Sequence, residues 1–106
     1  MVYTARVIIE RDIKDYSDQD LSDLVDWITI ISHVNVDPKK IKINYVSSIT
    51  EGDKMFYTLD VRYYAEAGLQ RRDISKKVIV ELNKIGMFSI GLLRSFNITG
   101  KEEQDV

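Results

Sequence analysis

The side chains in this sequence that could do chemistry are few and widely spaced. There is one histidine, His33, and no cysteine. A zinc-type site built on a lone imidazole would need carboxylates for its other ligands. Thiolate nucleophiles, disulfides and Cys-x-x-Cys metal sites are excluded outright. The serines have no evident base partner, and the Gly-x-Ser-x-Gly turn that exposes a nucleophilic hydroxyl is absent. Asp20 and Asp23 stand three residues apart, so on a helix they would share a face. Paired carboxylates can hold a hard cation or move a proton, but they equally make an ordinary solvated helix surface. His33, in the loop after that helix, is in the same way an ordinary surface or capping residue.

The remaining chemistry-bearing set is aromatic and basic. The segment MFYTLDVRYY carries Phe56, Arg62 and Tyr64 at even positions, with Asp60 among them. Aromatics and arginines on one strand face can stack on bases or reach phosphates, and Arg6 and Arg94 could join them. The basic-Gly-aromatic octapeptide of an RNA-recognition strand is not there, since this segment has no glycine and places Asp60 in its middle. The P-loop, the Gly-x-Gly-x-x-Gly turn and the Asp-x-Asp-x-Asp-Gly calcium loop are also missing. Nor does the stretch after the first strand, RDIKDYSDQD, contain the Gly-rich phosphate loop of an acylphosphatase. No cofactor and no metal is called for, and no catalytic residue is assigned.

These side chains must be positioned by regular elements that the hydrophobic periods reveal. In VYTARVIIER, Tyr3, Ala5, Val7 and Ile9 alternate with Thr4, Arg6, Ile8 and Glu10, the period of a half-buried strand. Leu21, Leu24, Val25, Ile28 and Ile31 then recur at helical spacing. Ser17 is the expected N-cap, and Asp18 and Asp20 suit the positive end of the helix dipole. Asn35, Asp37 and Pro38 mark a loop. Two further alternating runs, 41–49 and 55–64, flank the turn TEGDK, in which Gly52 can take a positive φ. They predict an antiparallel hairpin. Ile74, Val78, Leu82 and Ile85 predict a second helix, ended at Gly86. A last strand is expected over 87–98, bulged near Gly91 or Leu93, followed by a polar tail over 101–106.

The order strand–helix–strand–strand–helix–strand, with right-handed crossovers, gives a four-stranded antiparallel sheet with both helices on one face. This α+β arrangement is the one called ferredoxin-like. At 106 residues, 44% hydrophobic and 30% charged, the chain is expected to form a single domain over 1–100. The net charge of −2 supplies no overall field toward nucleic acid or anionic lipid. The charges are nevertheless segregated, acids along the first helix and bases along the second. No apolar run approaches the roughly 20 residues that span a bilayer, and residues 1–10 lack the basic start and apolar run expected of a signal peptide. A soluble, cytoplasmic protein is expected.

Strand parity leaves Thr4, Arg6, Ile8 and Glu10, Lys42, Asn44 and Val46, Phe56 to Tyr64 at even positions, and Ser89, Gly91 and Leu93 on the uncovered sheet face. That face is too apolar for plain solvent and too polar for a second core. Its mixture of aliphatic, aromatic and Arg residues is that of a contact surface. The expectation is a non-catalytic interaction or assembly module, such as a phage accessory protein. It would dock a partner, or itself as a homodimer, through Ile8, Phe56, Arg62 and Tyr64. The alternatives are a single-stranded RNA binder and a small enzyme with a carboxylate-based site.

Overall fold

The computed structural model describes residues 1–102. Strand β1 (Val2–Asp12) leads into helix α1 (Asp18–Ile31), followed by β2 (Ile41–Glu51), β3 (Lys54–Tyr64), helix α2 (Arg71–Lys84) and β4 (Leu92–Glu102). A short 3-10 turn, Met87–Ser89, lies between α2 and β4. The sheet order is β2-β3-β1-β4, with every neighbouring pair antiparallel. This is the ferredoxin-like topology that the element order predicts. No described helix is long and apolar enough to cross a membrane.

Alternation along the two central strands sorts their side chains. Tyr3, Val7 and Ile9 of β1 and Met55, Tyr57, Leu59 and Val61 of β3 point to one side. They form one buried cluster with Ile28 and Ile31 of α1 and with Ile74, Val78 and Leu82 of α2. Both helices therefore cover the same face. Burying each of these aliphatic side chains fully stabilises the fold by roughly 1.5–3 kcal/mol.

The helix ends follow local chemistry. The Ser17 hydroxyl accepts from the Asp20 backbone N–H at 3.2 Å, and the Asp20 carboxylate accepts from the Ser17 N–H at 2.9 Å. This reciprocal capping box satisfies two amides at the start of α1. Gly86, just beyond α2, takes φ +83°, a conformation a Cβ would penalise. Arg11 fastens the end of β1 to what surrounds it. Its Nη2 donates to the Tyr16 hydroxyl at 2.6 Å, and its Nη1 to the Ser89 carbonyl at 3.0 Å.

The last strand differs from its sequence expectation. Residues 87–89 are a 3-10 turn, and the strand begins at Leu92 and runs to Glu102. The apolar residues Met87 and Ile90 are buried in the main cluster, so that segment plugs the core instead of pairing with β1. The chain can turn there because of Gly91. A Cβ at Gly91 would stand 2.5 Å from the Glu10 carbonyl oxygen and 2.8 Å from Ile9 Cγ2. Of the expected tail, Lys101 and Glu102 belong to β4, and the remainder lies outside the described residues.

Candidate functional site

The sheet face opposite the helices is built from the other parity. On β1 and β3 it presents Thr4, Arg6, Ile8 and Glu10 beside Phe56, Thr58, Asp60 and Arg62, as the alternation predicts. On the edge strand β2 the register shifts between Tyr45 and Ser47. The bulge takes up Val46 and reverses the parity beyond it. Ser47 and Ile49 then lie opposite Thr58 and Phe56, on the open side. Val46, expected on that face as a regular member, is instead the extra residue of the bulge.

The reversal assembles an apolar patch at the hairpin end of the sheet. Ile49 lies directly opposite Phe56 across β2–β3, and Ile8 directly opposite Thr58 across β1–β3. Together with Glu51 and Arg94 they line a shallow hollow of about 290 Å³. Ile8 and Phe56 are half-buried, and Ile49 is 58% exposed, which is high for an isoleucine. Three apolar side chains, Ile8, Ile49 and Phe56, thus share the hollow with polar Thr58 and the charged Glu51 and Arg94.

Beyond this patch the open face is ionic and largely neutralised. Arg6 Nε and Nη2 donate to the two Asp60 carboxylate oxygens at 3.0 and 3.1 Å. The Asp60 hydrogen bond, followed by its charge, holds the Arg6 guanidinium above its ordinary pKa. Lys54 Nζ lies 3.1 Å from Glu10, and Arg62 Nη2 lies 3.6 Å from Glu102. Arg6, Lys54 and Arg62 are thus each matched with an acid.

The four residues singled out from the sequence are spread along the sheet and are not gathered at one place. Ile8 and Phe56 meet at the apolar patch. Arg62 and Tyr64 stand at the other end of β3, opposite Thr4 and Val2. Phe56 and Tyr64 are separated by about 27 Å of strand, at roughly 3.4 Å per residue. Ile49, which completes the patch, is absent from the sequence-derived face. The broken alternation in NYVSSIT is the signal that could have found it. Ser89, Gly91 and Leu93 are not the β4 members of the open face. Ser89 and Gly91 precede that strand, Leu93 lies opposite Ile9 on the covered side, and Leu92, Ser95 and Asn97 take those places, opposite Glu10, Ile8 and Arg6.

The other chemical candidates have structural employment. Asp20 is occupied by the capping box, and Asp23 Oδ1 accepts from the Gln19 amide at 2.9 Å. His33 is exposed in the turn after α1. Among the described residues no three His, Asp or Glu side chains are grouped as a metal site would require. The one buried polar side-chain atom without a partner among them is the Tyr57 hydroxyl. Desolvation pushes its pKa up to about 12, against the lowering effect of the Arg11 charge. A phenol so poorly ionised is no base near neutral pH. Comparison of the chain with protein-family models, with curated proteins and with solved structures finds no match.

Proposed function

We propose that this chain is a non-catalytic interaction or assembly module that docks a protein partner, or a second copy of itself, through the open sheet face. The observation that carries the reading is the apolar patch of Ile8, Ile49 and Phe56, left uncovered beside the charged Glu51 and Arg94. Ile49 is its most exposed member and the natural anchor. The flanking ion pairs would set orientation more than affinity.

The matched charges weigh against the two alternatives. Arg6 and Arg62 face Asp60 and Glu102, so a nucleic-acid phosphate would have to compete with a carboxylate at each. A carboxylate-based enzyme would need acids free of structural work, and Asp20 is committed to its helix cap.

The test is light scattering on a size-exclusion column, with Ile49→Asp and Phe56→Asp beside the parent chain. A dimer or larger species that either substitution makes smaller than that of the parent chain, with unchanged circular dichroism, is the expected result. An assembly whose size neither substitution changes in folded protein would remove the sheet face from consideration.

A further inference from the structure

The helical layer carries a second pair of surfaces, independent of the sheet face. Along α1, Asp20, Asp23, Trp27 and Ile30 recur at i, i+3, i+7 and i+10, the spacing of one continuous stripe. Trp27 and Ile30 are 50% and 49% exposed. Trp27 shares a shallow groove with Asp20 and Asp23. The helix holds four aspartates and no basic residue. An indole left half in water within an acidic surface has no task in the fold, because the core-facing side of α1 is supplied by Ile28 and Ile31.

On α2 the pattern recurs with the opposite sign. Val80 is 51% exposed. It shares a groove with Lys40, Lys76, Lys77, Lys84 and one acid, Glu81. Glu81 lies 3.3 Å from Lys84 and neutralises part of that charge, which leaves the surface basic. Each patch thus has an apolar residue set among charges, and the two sets of charges are complementary.

We infer that the Trp27 face of α1 in one copy of this chain docks on the Val80 face of α2 in another copy. Trp is the strongest common anchor at protein contacts, and Lys stems and ammonium groups pack well against an indole. The aspartates would meet the lysines at the rim, where opposite charges speed encounter and fix register. Each copy carries both halves of the contact. The interaction therefore closes into a dimer if a two-fold axis brings both pairs together, and builds a chain of copies if it does not. This contact does not rest on the sheet-face reading.

The experiment uses the full chain carrying Ile49→Asp throughout, which silences the sheet face. Trp27 is the only tryptophan, so its fluorescence reports this contact alone. Sedimentation velocity and emission spectra are followed against concentration at about 0.1 M and about 1 M salt, where the Debye length falls from about 10 to about 3 Å. The expected result is concentration-dependent association with a blue shift of the emission, weakened at high salt. Trp27→Ala or Val80→Asp should each weaken association by about thirtyfold or more, the scale of a buried anchor. Mixing those two variants should restore a complex, since one supplies an intact α1 face and the other an intact α2 face. Lys77→Glu repeats the Val80 test by charge alone. A chain that stays monomeric at low salt, or associates without a blue shift, would overturn the inference while leaving the sheet-face proposal standing. A mixture that stays monomeric would also overturn it.

Discussion

Arg6 and Asp60 face each other across the centre of the sheet, joined by two parallel N–H to oxygen bonds between β1 and β3. The pair sits between the apolar patch at one end of the open face and the Arg62 end at the other. It divides what the sequence presents as a single mixed surface.

Because the pair is solvent-exposed, its coupling should be small and sensitive to salt. A double-mutant cycle with Arg6→Ala and Asp60→Ala, measured by urea unfolding, should give a favourable coupling in dilute buffer that shrinks as salt is added. Asp60→Ala should also leave Arg6 without its acid. Weak, salt-dependent binding of single-stranded RNA should then be stronger for this variant than for the parent in a fluorescence-anisotropy titration.

Tyr57 is wholly buried and its hydroxyl has no partner. Tyr57→Phe removes an unsatisfied polar atom and keeps the ring, so it should raise stability by roughly 1 kcal/mol. The same group makes stability depend on pH. Its folded pKa is about 12. In the unfolded chain it is near the ordinary tyrosine value of about 10. Between those values the unfolded state loses its proton first, so stability is full below about pH 10 and falls as pH rises toward about 12. Urea midpoints across that window should fall less steeply for Tyr57→Phe than for the parent.

Gly91 is required by space and not by an unusual φ. A methyl group there would press on the backbone of Glu10 and the side chain of Ile9. Gly91→Ala should therefore cost about 1–3 kcal/mol, the usual range for overpacking a filled site. Thermal or urea unfolding reads the loss directly. Since Glu10 and Leu92 are register partners, exchange protection of the amides at the start of β4 should fall first.

The capping box of α1 gives a calibrated comparison. Ser17→Ala removes the hydroxyl that accepts from Asp20 and should destabilise the protein by about 1 kcal/mol. Ser17→Gly should cost only a few tenths, because glycine leaves the turn easy to form and open to water. The two urea midpoints should fall in that order.

Most of the architecture follows from periods within short segments. The alternation in YTARVIIE and MFYTLDVRYY, the helical spacing of Leu21 to Ile31 and of Ile74 to Ile85, and the signals at Ser17, Gly52 and Gly86 depend on neighbouring residues. Local sterics and one-sided burial suffice to produce them. With those elements in order, the handedness of the crossovers leaves few sheets to choose from. The central half of the open face was legible for the same reason, because β1 and β3 run unbroken opposite each other.

What the tertiary structure decided lies on the edge strands. Bulges in β2 and β4 each insert a residue, and one inserted residue sends every later side chain to the other face. Ile49 thereby joins Ile8 and Phe56, and Leu93 turns to the covered side opposite Ile9 while Leu92, opposite Glu10, takes the open one. Whether MFSI is a strand or a plug is likewise not a local matter. Its apolar residues suit either, and burial of Met87 and Ile90 in the main cluster determines the outcome. Local patterns determined which elements this chain makes, because their causes act over a few residues. The surfaces it offers were decided by register and packing between strands that are distant in the chain.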